Sequence, residues 1–183
     1  MKKDLLVGVD LGTTGSKAGI FNTSGKMLGS GYYEYPCIYP RPGWVDQDVE
    51  LIVESAMNAI KDAIKSSKVD VKRIAGVAFS SQRSCTIFLD QNNRVIRPMM
   101  SWMDTRATDE VREIYELVPF KKYLKITGFP SSPNWVLPKM VWLRKNEPEN
   151  WKQTQKVVQL QNYILLAMGA DGMNMGTRFI ATK

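Results

Sequence analysis

From Leu5 to Phe21 the chain reads LLVGVDLGTTGSKAGIF. An apolar run to Val9 ends in Asp10, then Gly12-Thr13-Thr14-Gly15-Ser16 follows, and a second apolar run passes through Ala18, Ile20 and Phe21. Short apolar runs bounded by Gly and Asp predict two buried strands joined by a tight hairpin. Lys26 to Tyr35 predicts a third strand after a turn at Asn22 to Gly25. Pro36, Pro40 and Pro42 then exclude a central strand, because proline gives no ladder donor. Asp48 is an N-cap for a helix from Val49 to about Ser66, with an apolar stripe of Leu51, Ile52, Ala56, Ala59, Ile60, Ala63 and Ile64. Glu50 and Glu54 near its start and Lys61 and Lys65 near its end complement the helix dipole.

Further along, Ile74 to Ser80 has the pattern of a buried strand and ends in Ser81-Gln82-Arg83-Ser84. A helix between two such strands predicts a crossover and an α/β layer. Cys85 to Leu89 is a short strand closed by a turn at Asp90 to Asn93, and Val95 to Met100 is extended and leads into Ser101-Trp102-Met103-Asp104-Thr105-Arg106. Helices are expected over Thr108 to Val118, Phe120 to Thr127, Trp135 to Lys145 and Gln161 to Met168, with a weak strand at Val157 to Leu160. Glu147 to Asn150 reads as the stop after the third of these helices.

Composition narrows the chemistry more than the fold. With 44% hydrophobic and 23% charged residues, the 183-residue chain has the balance of a globular protein with a proper core. Histidine is absent, which excludes Ser-His-Asp, Cys-His and His-zinc mechanisms and leaves Asp, Glu or Lys as proton acceptors. Cys37 and Cys85 have no CxxC spacing, so reduced thiols and a cytoplasmic location are expected. No apolar run is long enough to span a membrane, and Met1-Lys2-Lys3-Asp4 runs straight into a strand carrying an acid, which reads against a signal peptide. The net charge of +7 is dispersed over Lys61, Lys65, Lys68, Lys72, Lys121, Lys122, Lys125, Arg144, Lys145, Lys152 and Lys156. Solvated helix faces account for that pattern, and no specific nucleic-acid partner is expected.

Polar groups recur at the ends of predicted strands: Asp10 with Thr13 and Thr14, Gln82 with Arg83, and Asp104 with Arg106. In α/β sheets such ends are where ligands bind. At the first, small residues leave backbone donors uncovered, the Thr hydroxyls add more, and Asp10 can hold a divalent cation or its waters. The spacing fits neither the Walker loop nor GxGxxG, and an ordinary glycine hairpin with an acid in it explains it equally. Arg83 read alone is a surface arginine, and Asp104 read alone is a helix cap.

In order and spacing, several segments together resemble the FGGY carbohydrate kinases, the group containing glycerol kinase, xylulokinase and gluconate kinase. They are Asp10 to Lys17, Pro42 to Asp48, Ser81-Gln82-Arg83, Arg97-Pro98 with Trp102 to Arg106, Thr127-Gly128, and Leu160 to Ile164. The resemblance implies a ribonuclease-H-like (actin-like ATPase) α/β domain, a mixed sheet with flanking helices, with residues 1–168 as a partial N-terminal kinase domain. It implies ATP and Mg2+ as cofactors and transfer of a phosphoryl group to a sugar or polyol hydroxyl. Carried over by position, Asp10 is the catalytic and metal-organising acid, Thr13, Thr14 and Lys17 meet the nucleotide phosphates, and Gln82, Arg83, Trp102, Asp104 and Asn134 meet the acceptor.

Departures from the family are visible too. Glycerol kinase has arginine at the position of Lys17, a glutamate at that of Ser84, and a tyrosine at that of Asn134, so no one substrate is singled out. The family's base is an aspartate beyond the equivalent of Lys183, and Asp171 lies outside the matching context. The 183-residue chain alone is therefore expected to be inactive or very weak, with self-association or a missing C-terminal domain as partner. A catalytically silent module that binds a sugar or a partner is the alternative. Residues 169–183, GADGMNMGTRFIATK, form an atypical tail that resembles a segment of flavin-dependent barrel enzymes of the nitronate monooxygenase and enoyl reductase type. Without a barrel around it that segment cannot build a flavin site.

Overall fold

The computed structural model describes residues 2–169 and 180–181. The described residues divide into two compact units, the first comprising residues 2–37, 48–82 and 164–169 and the second residues 38–47, 83–163 and 180–181.

In the first unit, the opening hairpin forms as its pattern predicts. Leu5–Leu11 (β1) pairs antiparallel with Gly15–Asn22 (β2), which pairs antiparallel with Met27–Glu34 (β3). The two-residue strand Asp46–Gln47 (β4) belongs to the second unit. Helix Val49–Ser67 (α1) then leads by a short 3-10 turn to Ile74–Ser81 (β5), which lies parallel to β1. Strand order is β3-β2-β1-β5, a mixed sheet.

Alternation along β1 sorts its side chains to the two faces. Leu5, Val7, Val9 and Leu11 are buried, and in register with them lie Ala18 and Ile20 of β2. That face receives α1. Gly29 and Gly31 of β3, opposite Ile20 and Ala18, let the helix backbone approach closely: a Cβ at Gly31 would lie 2.3 Å from the Ala59 carbonyl oxygen, and one at Gly29 2.6 Å from that of Ala63. The helix answers with small residues, Ala56, Ala59 and Ala63, all fully buried beside Ile52. Leu51 is exposed, a correction to the expected stripe: it lies one position before Ile52, about 100° round the helix from it. Asp48 caps the helix as expected, its Oδ1 accepting from the Glu50 and Leu51 N–H groups at 2.9 and 3.1 Å. The opposite face of the sheet carries Leu6, Gly8, Asp10, Lys17, Gly19, Tyr32, Ala78 and Ser80, and a hollow of about 800 Å³ lies over its central part.

The second unit is built from short elements: Ile87–Leu89 (β6), Met99–Met100 (β7), Thr108–Leu117 (α2), Phe120–Thr127 (α3), Val136–Asn146 (α4), Pro148–Gln153 (α5), Lys156–Val158 (β8), the first residues of Leu160–Ala167 (α6) and Ile180–Ala181 (β9). From Ile164 onward α6 groups with the first unit. Strand β4 pairs with β7, and β8 pairs with β6 and β9. Helix α5 was not expected. Pro148 occupies its first turn, where the missing N–H is no loss, so a residue that reads as a stop starts a new helix instead. Phe88, Met100, Ala107, Trp142, Leu143 and Val157 form the apolar core of this unit.

Apart from residues 180–181, the 169–183 tail, and Asp171 within it, lies outside the described residues beyond Gly169.

Candidate functional site

The hairpin between β1 and β2 is held by its carbonyls. Tyr35, buried just after β3, donates its hydroxyl to the Gly12 oxygen at 2.7 Å and its N–H to the Thr14 oxygen at 3.2 Å. Cys37 Sγ lies 3.9 Å from the Thr13 oxygen, and the Gly12 N–H closes the turn onto the Gly15 oxygen at 3.0 Å. A turn tied at three successive carbonyls presents its side chains in fixed directions. Thr13 is half-buried and Thr14 exposed at its tip.

Asp10, the next-to-last residue of β1, is exposed on the sheet face away from α1, in register with Lys17 on β2 and Ser80 on β5. Lys17 lies with its ammonium 5.4 Å from the centroid of the Tyr32 ring. The Gln82 N–H donates to the Leu11 oxygen at 2.9 Å, which sets Gln82 beside the end of β1. So the first unit brings together Asp10, Thr13, Thr14, Lys17 and Gln82 within one sheet end and its hairpin.

Among the described residues no group of three or more Cys, Asp or Glu side chains converges on a metal position. Mg2+ fits such a place nonetheless. It keeps several waters and is usually held by one or two carboxylates together with phosphate oxygens, a pattern that a lone exposed Asp10 beside two threonines can serve.

The second unit carries the other expected residues. Arg83 is exposed, and Ser84 after it adopts φ +58°, a left-handed conformation costly for a residue with a Cβ. Trp102 is 43% exposed. Asn134 is half-buried, donating its Nδ2 to the Trp102 oxygen at 2.6 Å and accepting from Ser132 Oγ at 2.9 Å. Segments 83–84 and 101–102 meet at Lys139 of α4, whose Nζ donates to the Ser84 oxygen at 3.1 Å and the Ser101 oxygen at 2.6 Å. Arg83, Trp102 and Asn134 are thus neighbours in the fold.

Asp104 is a correction. Its carboxylate is fully buried and accepts from the Val45 N–H at 2.6 Å, the Arg106 N–H at 3.0 Å and Arg106 Nε at 2.8 Å. A group so enclosed and satisfied holds the fold rather than a ligand hydroxyl. It belongs to a chain of charges, buried up to the half-buried Glu147 at its end: Arg106 also bonds Asp46 at 2.5 Å, Asp46 bonds Arg97 at 3.2 Å, and Arg97 reaches Glu147 at 3.2 Å. Between them, Trp44 and Trp142 flank the Arg106 guanidinium, their centroids 4.3 and 5.1 Å from it. Burial pushes the Asp46 carboxyl up against the pull of Arg97 and Arg106, and burial likewise lowers Arg97.

Lys139 was not foreseen. It is fully buried, and burial holds its ammonium down to about 8. The signal lies in spacing: Lys139 stands three and four residues before the buried Trp142 and Leu143, so it must share their inward helix face.

The chain is 30% identical over 168 residues to the xylulose kinase of Bacillus subtilis (strain 168), covering 89% of this chain and 32% of that one. It is 34% identical over 154 residues to the glycerol kinase of Thermococcus onnurineus, covering 82% of this chain and 30% of that one. The crystal structure of a ligand-bound xylulose kinase from Lactobacillus acidophilus superposes with a TM-score of 0.82 at 28% identity, over 89% of this chain and 33% of that one. The chain therefore spans about one third of the length of the relatives it matches. Its mixed sheet with flanking helices is the actin-like, ribonuclease-H-like ATPase fold of these kinases. The family model for the N-terminal domain of the FGGY carbohydrate kinases matches residues 5–174, and the chain belongs to that family.

Proposed function

We propose that this chain is the acceptor- and phosphate-binding part of an ATP-dependent kinase that phosphorylates a sugar or polyol hydroxyl. The observation that carries the reading is the tied hairpin at the end of β1, which holds Thr13 and Thr14 beside the exposed Asp10 in a chain of this family. Asp10 would hold Mg2+ through its waters, and Thr13, Thr14 and Lys17 would meet phosphate oxygens. Bound there, Mg-ATP supplies the phosphoryl group and neutralises charge as it develops. In the second unit Arg83 and Asn134 offer hydrogen bonds to acceptor hydroxyls, and the exposed ring of Trp102 offers an apolar face for the carbon skeleton.

Positioning is the larger part of such catalysis, because an in-line hydroxyl and phosphoryl group need little covalent help. The transfer still needs a base and a closed, water-poor site, and the family resemblance puts the base beyond the equivalent of Lys183. Residues 1–183 alone should bind acceptor while turning over little or no ATP. Leu6 and Met27, 50% and 56% exposed on strands β1 and β3, support docking of a further domain or self-association. No helix among the described residues is long and apolar enough to cross a membrane.

The test is calorimetric titration of residues 1–183 with Mg-ATP and with D-xylulose or glycerol, beside a coupled ATPase assay on polyols, pentoses, hexoses and sugar acids. Acceptor binding that Arg83→Ala weakens, and Mg-dependent nucleotide binding that Asp10→Ala weakens, are expected. Turnover of about 1 per second or faster that is lost in Asp10→Ala would show a self-sufficient kinase. Binding of neither ligand would refute the reading.

A further inference from the structure

We infer that Lys139 is a positioning residue for the acceptor site, its buried ammonium setting the directions of Arg83 and Trp102 by holding the carbonyls of Ser84 and Ser101. The inference rests on the proposed acceptor site and adds to it a residue that touches no ligand.

A lysine is an expensive choice for this place. The side chain is fully buried in α4, and among the described residues it forms no ion pair within 4.0 Å. Burial of an unpaired ammonium opposes folding, and an apolar side chain of similar length would fill the same volume without that cost. What an apolar residue cannot do is donate. One Nζ reaches two carbonyl oxygens from segments far apart in sequence, Ser84 after β5 and Ser101 after β7. A fully buried donor with two bonds of 3.1 and 2.6 Å fixes both peptide planes at once.

Each carbonyl sits one residue from a side chain that matters. Ser84 follows Arg83, and Ser101 precedes Trp102. Ser84 is left-handed at φ +58°, and a non-glycine residue persists there only when its surroundings over-determine it. Lys139 supplies that constraint, together with Gln159, whose Oε1 accepts from the Ser84 N–H at 3.3 Å. The Ser101 carbonyl also accepts the Asp104 N–H at 3.1 Å, and Thr86 and Met100 exchange both backbone bonds alongside. On the far side of Trp102, Asn134 holds the next carbonyl. Trp102 is therefore gripped through its own oxygen and the one before it, both from residues at or just before α4, while its ring is left at the surface.

The experiment compares Lys139→Met and Lys139→Arg with the wild type in residues 1–183. Amide hydrogen exchange is read in the absence of sugar, and affinity for D-xylulose and for glycerol is read by calorimetry. In Lys139→Met the amides of Thr86, Ser101 and Asp104 should exchange about tenfold faster or more, while those of β1, β2 and β3 keep their rates. Acceptor affinity should fall about tenfold, and Lys139→Arg, which restores a buried donor, should recover much of both.

Exchange and affinity within twofold of wild type in Lys139→Met would overturn the inference. So would faster exchange spread evenly through the second unit, which would make Lys139 an ordinary core residue. If exchange changes locally but the wild type binds neither sugar, the acceptor-site reading fails while the pin on both segments stands. If the wild type binds and Lys139→Met binds equally despite looser segments, the acceptor-site reading stands and Lys139 has no role in it.

Discussion

Replacing Asp104 with alanine separates a structural acid from a ligand-binding one. The substitution deletes the acceptor for three donors, the Val45 N–H at 2.6 Å, the Arg106 N–H at 3.0 Å and Arg106 Nε at 2.8 Å, all in a fully buried place. Removing one partner of a buried ion pair costs about 3–5 kcal/mol, because the other charge is stranded. Here Arg106 keeps Asp46 at 2.5 Å and the rings of Trp44 and Trp142, so the loss should fall near the low end, about 3 kcal/mol. Asp104→Asn retains one oxygen for the Arg106 N–H and should lose less, about 1–2 kcal/mol.

Urea unfolding followed by tryptophan fluorescence is the assay. All five tryptophans, Trp44, Trp102, Trp135, Trp142 and Trp151, belong to the second unit, so the signal reports the unit that holds the cluster. At a slope of about 1–3 kcal/mol per molar urea, the alanine midpoint should fall by at least about 1 M. A loss below about 1 kcal/mol would put Asp104 in the range of an exposed ion pair and refute the structural assignment. Weakened acceptor binding in Asp104→Asn, at unchanged stability, would return it to the ligand site.

Other expectations are as direct. Burial holds Lys139 at about 8 against an ordinary 10.5, so the folded chain gives up this proton at lower pH than the unfolded one. The cost of the buried charge is then fully present below pH 8 and is relieved as pH rises to 10.5. Relative to Lys139→Met, the wild type should gain up to about 3 kcal/mol of stability across that window. Cys85, Asp104, Arg106 and Asp46 face the ammonium, so the series is repeated with Cys85→Ala to separate the contribution of the thiol from that of the lysine. A flat difference between pH 8 and 10.5 would refute the shift. Gly31→Ala forces a Cβ to 2.3 Å from the Ala59 oxygen and should cost about 2–3 kcal/mol in chemical unfolding followed by circular dichroism, a neutral effect showing that α1 can retreat. Binding to DNA or RNA should be weak and strongly salt-dependent, and submicromolar affinity for a defined sequence at about 0.15 M salt would contradict the dispersed-charge reading.

Local pattern determined the elements of the first unit. Leu5–Leu11, Gly15–Asn22 and Ile74–Ser81 are short apolar runs and Val49–Ser67 follows period 3.6, all with sharp punctuation, although Ile74–Ser81, which reads as a buried strand, is only half-buried or exposed along its length. The cluster Asp10-Gly12-Thr13-Thr14 was legible for the same reason, since its chemistry is contiguous in the chain. In the second unit the elements are short and the decisive contacts are remote, so the sequence could place polar residues at strand ends without saying what each one meets. Asp104 reads as a ligand-binding acid or a helix cap and is buried because Arg106 and Val45 close on it, the latter from the segment after a proline-rich loop. The spacing of Lys139 to Trp142 and Leu143 marks an inward helix face, but α4 aims it at two carbonyls that only folding brings within reach of one nitrogen. A hydrogen-bond partner 38 or 55 residues away leaves no mark in local pattern, and for these charges tertiary structure alone chose between fold and site.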